Sequence, residues 1–263
     1  MIKLAFEIPI KYLRMFSKMT DYDYVLAHLW NNVDYREFYI EQQKKGRFII
    51  LDNSAFELDN CLVNDELGCI IEDLKPNCVV APDVRGNSEL TQQKTSEFIT
   101  YVTEKKFKME IMGVVQGKNL EEWLACYHFM TTHPLINRIG LTFEYYFGVP
   151  EEVTRKNLTQ QWMERRIKLI EYLVKVGVIP ENKKFHLLGA SDCVEYRFVK
   201  KYSFIETADT SSPVLHGVND IAYKDYGLSC EKIAERLDFG CSLVKKQINL
   251  INKNIQIVKR FSR

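Results

Sequence analysis

The sequence has 263 residues, enough for one large domain or two small ones with a substantial core. Its hydrophobic fraction of 46% and charged fraction of 27% exclude a disordered chain. A formal net charge of +1 excludes a polycation, so nucleic-acid binding would need a local basic patch. No apolar stretch reaches the roughly 18 residues of a membrane span, and the N-terminus lacks the apolar core of a signal peptide. We therefore expect a cytoplasmic protein with no membrane partner.

Short strand-like runs alternate with amphipathic helical segments along the chain. Several runs are apolar on successive residues, as is typical of parallel strands covered on both faces. Strands are predicted at 3–8, 47–52, 78–83, 109–116, 138–143, 185–189 and 203–209, with 214–218 as a candidate eighth. Between them, Asn119 with Glu122 and Asp192 with Glu195 have the spacing of a capping box, which predicts helix starts.

This alternation allows either a doubly wound sheet or a (β/α)8 barrel. Seven strands and a possible eighth, without a Pro/Gly/Ser-rich linker, favour the barrel, as a single α/β domain over residues 1–263. Asp52, Asp83, Gln116 and Asp209 fall at the carboxyl ends of different predicted strands. Active sites of barrels assemble at that face, so we predict that these four side chains converge at one mouth.

Residues 241–263 are predicted to form a basic amphipathic helix. Apolar residues recur there at helical spacing, at Leu243, Val244, Ile248, Ile251, Ile255 and Val258. After Asp238 the chain carries no acid, but it has basic residues at Lys245, Lys246, Lys253, Lys259, Arg260 and Arg263. We expect the apolar stripe to pack inward and the basic side chains to face outward, where they either contact phosphates or are only solvated.

The cysteines give no sign of a metal centre. The seven cysteines, at positions 61, 69, 78, 126, 193, 230 and 241, form no C-x-x-C pair and no Cys/His cluster at zinc-ligand spacing. We expect reduced, mostly buried thiols, and neither a metal nor a cofactor.

Asp83 and Asp209 are the candidate catalytic acids. Two carboxyl groups in one pocket support retaining glycosyl transfer, in which one attacks the anomeric carbon and the other moves a proton. The alternative is structural, because an Asp before a Ser, Thr or Pro turn is often a cap or turn residue. The residues alone leave both interpretations open.

Five stretches resemble segments of the tRNA-guanine transglycosylase family. "LDNSAFEL" (51–58) resembles its D-S-G-[AS]-[FY]-Q segment, and "VVAPDVRGN" is similar to the segment that holds its acid/base aspartate. "MGVVQG" (112–117) resembles the segment F-G-[IV]-[VQ]-Q-G, and "RIGLTFEYYFG" its G-G-L loop. "FHLLGASDCVEYRFVKKYSFIETADTSSP" is similar to the segment that opens with Y-L-M-G-V-G and contains the nucleophile in D-x-x-x-P.

The resemblance implies a base-exchange enzyme of the pentosyltransferase type. Asp209 would be the nucleophile, with Pro213 in register, and Asp83 the acid/base residue. Substrate-binding residues would be Asp52, Asn53, Ser54, Phe56, Gln116, Gly117, Gly140, Leu141 and Gly189, with Gln116 and the amides near the last three reading the purine. The family's C-x-C-x-x-C zinc cluster is absent, so the resemblance implies a barrel without the zinc subdomain, most similar to the compact phage DNA-guanine transglycosylases.

The implied partners are nucleic acid, DNA more than tRNA, and a 7-deazaguanine base. The oligomeric state stays open, with a homodimer as one option. Three alternatives also stay open: a tRNA base exchanger without zinc, a non-catalytic nucleic-acid-binding partner on the same scaffold, and an unrelated barrel enzyme.

Overall fold

The structure is a computed structural model that describes residues 1–59, 61–144, 155–190, 192–228, 233 and 235–263, with the backbone alone at 155–159. Its strands are β1 (Lys3–Phe6), β2 (Asp23–Leu26), β3 (Ile49–Asp52), β4 (Cys78–Val80), β5 (Glu110–Val115), β6 (Arg138–Leu141), β7 (Lys184–Leu187) and β8 (Ile205–Thr210). They are hydrogen-bonded in the order β1-β8-β7-β6-β5-β4-β3-β2. These eight parallel strands of the described chain, with helices between them, form a nearly closed (β/α)8 barrel, which confirms the predicted fold class.

Several of the helices begin at an asparagine. The α-helices are α1 (Leu13–Phe16), α2 (Val33–Lys44), α3 (Ala55–Leu58), α4 (Asn64–Leu74), α5 (Ser88–Glu104), α6 (Leu120–Thr132), α7 (Arg155–Lys175), α8 (Glu195–Val199), α9 (Ser212–Val218) and α10 (Lys245–Ser262). The side chains of Asn32, Asn87 and Asn119 each accept a hydrogen bond from the backbone N–H three residues later. Each thereby satisfies one of the free N–H groups that a helix start leaves, as predicted for Asn119.

The chain divides into two compact units, of which one comprises residues 22–142 and 182–185. It holds β2 to β6, which pair in parallel with their neighbours. All residues of these five strands are buried except Glu110, which is half-buried. This burial explains why the strands are apolar on successive positions rather than alternating.

Two asparagines fasten the amino ends of neighbouring strands in this unit. Asn77, just before β4, accepts from the N–H of Ile49 at 2.8 Å and donates its own N–H to the carbonyl of Ile49. Asn137, just before β6, makes the same pair of bonds with Ile111, the side-chain bond being 2.9 Å. Each asparagine thus aligns its strand with the strand before it.

The other unit comprises residues 1–21, 143–181 and 186–263. Here β1 pairs in parallel with β8, which places Ala5 opposite Asp209. Asn254 of α10 is fully buried, accepts from the N–H of Tyr223 at 2.8 Å, and donates to the carbonyls of Pro213 and Ile221. These bonds join α10 to the start of α9 and to the segment that follows α9.

The predicted C-terminal helix is present, but it starts at Lys245 rather than 241, and Val244, expected in the inward apolar stripe, is 61% exposed. It runs over Lys245–Ser262, and Ile251, Ile255 and Val258 are buried as expected. Lys259, however, does not face outward, because its Nζ donates to the carbonyl of Met19 and to Asp21.

The prediction of an eighth strand at 214–218 was wrong. This stretch lies in α9, where Pro213 stands in the first turn, a position that suits its fixed φ and missing N–H. The eighth strand is instead β2, Asp23–Leu26, whose first residue is held by Arg47 at 3.1 Å. The seven other predicted strands are present with their ends shortened or shifted by one to three residues.

The second predicted capping box was also wrong. Asp192 accepts from the N–H of Val194 at 3.2 Å, and Glu195 pairs with Arg166 instead of turning back toward Asp192.

Six cysteines lie in the described chain and all are free, but only Cys78, Cys126 and Cys193 are buried, while Cys230 lies outside the described residues. No helix in the described ranges combines the length and apolar character of a membrane span.

Candidate active-site residues

Asp83 lies in a polar cluster at the carboxyl ends of β3, β4 and β5. Asn53 follows β3 directly, Asp83 follows β4 by three residues, and Gln116 follows β5 directly. The Asn53 side-chain amide donates to Asp83 Oδ1 at 2.8 Å, and the Gln116 amide donates to Oδ2 at 2.7 Å. We call these three residues the Asp83 cluster.

Burial raises the pKa of the Asp83 carboxyl above its ordinary value of 3.8. Desolvation is the largest influence, and the side-chain hydrogen bonds from Asn53 and Gln116 and the charge of Arg85 oppose it. The net upward shift means that this group holds a proton to higher pH than an exposed aspartate. A carboxyl group in this condition is suited to general acid and base work.

Gln116 holds Asp83 rather than presenting a free amide. Its Nε2 donates to Asp83, and its Oε1 accepts from the backbone N–H of Gly86 at 3.0 Å. The amide keeps a second N–H and a second oxygen lone pair, so Gln116 could contact a purine while it holds Asp83. Gly117 has a packing role, because a Cβ there would lie 2.4 Å from the backbone nitrogen of Trp123.

Asp52 is held by the neighbouring strand β2 and by the turn that follows β3. Its Oδ1 accepts from the hydroxyl of Tyr24 and its Oδ2 from the N–H of Ser54, both at 2.7 Å. Ser54 has φ of +58°, a left-handed conformation that the Asp52 bond supports. Asp52 therefore shapes the turn that carries Asn53 into the Asp83 cluster, and it does not bond Asp83 itself.

Phe56 is the exposed member of the predicted substrate-binding residues. It is 38% exposed, and the guanidinium of Arg85 lies 5.3 Å from the centre of its ring. An exposed ring beside a guanidinium offers a face on which a planar base can stack.

Gly140 and Leu141 lie within β6, where they stand opposite Val114 and Val115 of β5. The resemblance had implied a loop at this point. Tyr145 to Gly148, the later part of the stretch that matches this loop, lie outside the described residues.

Asp209 lies in a second cluster, near the carboxyl ends of β7 and β8. Its Oδ1 is 2.9 Å from Nε2 of His186, and the N–H of Gly189 points at both of its oxygens, at 3.1 and 3.2 Å. The hydroxyl of Thr207, two residues before Asp209 and so on the same face of β8, is 2.8 Å from His186 Nδ1. We call these four residues the Asp209 cluster.

A buried ion pair supports the Gly189 end of this cluster. Arg166 bonds both carboxylate oxygens of Glu195 at 2.6 Å, and the two side chains are 1% and 0% exposed. Arg166 also donates to the carbonyls of Leu188 and Gly189, at 3.1 and 2.8 Å. Gly189 itself has φ of +61°, and a Cβ there would lie 2.8 Å from the ring of Phe143. The peptide whose N–H meets Asp209 is thus fixed from the opposite side.

The structure brings Asn53, Asp83 and Gln116 into contact, and separately joins Gly189 to Asp209. The convergence of all four predicted polar residues at one mouth stays a prediction. Sequence reasoning missed His186 and Thr207. The available signal was a histidine inside the apolar run of a buried strand, because such a ring needs polar partners.

Comparison with models of known protein families found no match, and comparison with curated proteins found none either. In the described part of the chain, no group of three or more His, Cys, Asp or Glu side chains is arranged to hold a metal ion.

Proposed function

We propose that this protein is a guanine transglycosylase that exchanges guanine in nucleic acid for a 7-deazaguanine base. The observation that carries the proposal is the contrast between two of the buried carboxyl groups, Asp83 and Asp209. Asp209 is held by a ring nitrogen and a backbone N–H, whereas Asp83 is held by two side-chain amides and burial raises its pKa. Two carboxyl groups in environments that differ in this way suit a nucleophile and a proton carrier.

The reaction would proceed by double displacement. The target guanine leaves the base stack, and a carboxylate oxygen of Asp209 attacks C1′ of its sugar. The C1′–N9 bond breaks, the electron pair goes to N9, and the Asp83 carboxyl protonates the departing base. The incoming deazaguanine then gives its N9 proton to Asp83 and attacks C1′, which breaks the C1′–oxygen bond and restores the Asp209 carboxylate.

The favoured substrate is DNA in the cytoplasm of a cell infected by a phage, in line with the family resemblance. The basic side chains near the end of α10 supply a surface for phosphates. Lys253, Arg260 and Arg263 line a surface cleft of about 460 Å³ together with Lys259, Gln256 and Ile257. Arg260 is engaged with Asp225 at 2.7 Å, so Lys253 and Arg263 are the stronger candidates for phosphate contact.

Replacement of Asp209 by Asn tests the proposal. The amide keeps the shape of the carboxyl but cannot attack C1′, so exchange of labelled guanine and the covalent adduct on a denaturing gel should both disappear, with the fold intact. Asp83→Asn should lose exchange but still form some adduct, because the attack needs only Asp209. Full exchange by Asp209→Asn would refute the mechanism.

The substrate is tested by mass spectrometry of nucleosides from DNA and tRNA of cells that express the protein. A deazaguanine nucleoside in DNA supports the proposal. The same nucleoside only in tRNA would make the protein a tRNA base exchanger, and binding without any modified nucleoside would make it a non-catalytic partner.

A further inference from the structure

The Asp209 cluster contains a residue with no assigned role in the proposed exchange. His186 is completely buried in β7, and both of its ring nitrogens have partners, Asp209 at Nε2 and Thr207 at Nδ1. A carboxylate oxygen can only accept, so the proton on the shared contact must be on Nε2. In the neutral ring Nδ1 is then a bare acceptor, and it fits the hydroxyl of Thr207 as donor.

We propose that His186 is a positioning residue for Asp209, held in its Nε2–H tautomer by Thr207. This inference rests on the proposed function, because it assumes that Asp209 is the nucleophile. The attacking oxygen must meet C1′ in line with the breaking bond, and a small misplacement costs much of the rate. With the ring at one oxygen and the Gly189 N–H between the two, Asp209 is fixed from two directions.

Thr207 makes this arrangement specific. Its hydroxyl donates to Nδ1 and so adds to the preference for the Nε2–H tautomer that Asp209 sets at the other nitrogen. Without this hydroxyl the Nδ1–H form, which sets the Nε2 lone pair against a carboxylate oxygen, becomes easier to populate. Thr207 and Asp209 lie two residues apart on β8, so one strand supplies the partners of both ring nitrogens of His186.

The test compares variants in a single-turnover assay of the covalent adduct. His186→Leu keeps the size of the ring but removes the donor, and we expect the rate of adduct formation to fall about 100-fold, as for other preorganised donors. His186→Gln can place its amide N–H near the Nε2 position and should recover most of the lost rate. His128→Gln, which changes an exposed histidine of α6, is the matched control and should leave the rate unchanged.

Thr207→Val should slow adduct formation about tenfold, and Thr207→Ser should restore it. Nitrogen-15 NMR of the free protein should show His186 as the Nε2–H tautomer, and Thr207→Val should introduce the Nδ1–H form. Affinity for nucleic acid should change little, so a slower adduct step in a folded variant separates positioning from a loss of substrate binding.

Two failures can be told apart. If the wild-type protein exchanges guanine but His186→Leu, folded as judged by circular dichroism, forms adduct at the wild-type rate, the positioning role is wrong and the proposed function stands. If the wild-type protein forms no adduct with DNA or tRNA, the proposed function is wrong and the positioning role falls with it, whatever tautomer NMR shows.

Discussion

Replacing Glu195 by Gln should strongly destabilise the fold. In the wild type the Arg166 guanidinium is 1% exposed, and the Glu195 carboxylate that neutralises it is 0% exposed. The variant keeps the shape of the side chain but leaves a charge in a dry interior and sets an amide N–H group against the guanidinium. Breaking one partner of a buried pair costs about 3–5 kcal/mol.

The structure places the expected loss near the lower end of this range. Arg166 would keep its bonds to the carbonyls of Leu188 and Gly189, which compensate part of the lost interaction. We therefore expect the free energy of unfolding to fall by about 3 kcal/mol. Because the Gly189 N–H contacts Asp209, the variant should also form the covalent adduct more slowly.

Urea unfolding, followed by circular dichroism, measures the change. The matched control is Glu41→Gln, which breaks the exposed pair with Lys45, whose side chains are 37% and 56% exposed. That pair should contribute only about 0.3–0.5 kcal/mol. A loss in Glu195→Gln no larger than that of the control would show that the buried pair does not stabilise the fold.

Three further predictions follow from other sites. Burial raises the pKa of the Asp83 carboxyl above 3.8, so the folded state binds this proton more tightly than the unfolded state does. The free energy of unfolding should therefore fall as pH rises from the pKa of the unfolded state to the higher pKa of the folded state. Asp83→Asn should remove this fall between unfolding curves at pH 4 and pH 7, and an unchanged pH dependence would contradict the assignment. Gly117→Ala should lower the free energy of unfolding by about 1–3 kcal/mol, because its Cβ meets backbone rather than a flexible side chain, and an unchanged urea midpoint would refute this packing role. Replacing both Lys253 and Arg263 by Gln should flatten the slope of log affinity for nucleic acid against log salt concentration by about 1.8, whereas Lys44→Gln should not change it. An equal slope in the wild type, the double variant and Lys44→Gln would show that α10 has only a packing role.

The fold class could be predicted because several strands are buried on both faces and therefore carry apolar residues at successive positions. The prediction failed where this signal was ambiguous. The stretch 214–218 begins with Val214 and Leu215 and so was compatible with a buried strand, yet it lies in the short helix α9, which has Pro213 in its first turn. β2 was missed because its apolar run continues without a break into the short helical turn Ala27–Leu29, so the sequence shows no strand end there.

The candidate site was only partly visible in the sequence. Position at a strand end selected Asp83 and Gln116, which do contact each other. The same reasoning could not show that Asp52 turns aside to Tyr24, because that depends on a strand that was not predicted. Nor could it find the partnership of Arg166 with Glu195, since residues 29 positions apart meet only through tertiary packing.

In the unit of residues 22–142 and 182–185, two asparagines set the register of the strands at the ends opposite to those that carry the Asp83 cluster. Asn77 and Asn137 act at the amino ends of β4 and β6, and Asp83 lies six residues beyond Asn77, a span of about 20 Å at most in extended chain. A slip of one residue would turn every side chain of a strand to its opposite face. Because the register is set at the far end, the loops that follow the strands can change in length and composition without rotating the strands beneath them. Such a layout lets new specificities evolve in those loops while the sheet stays in place.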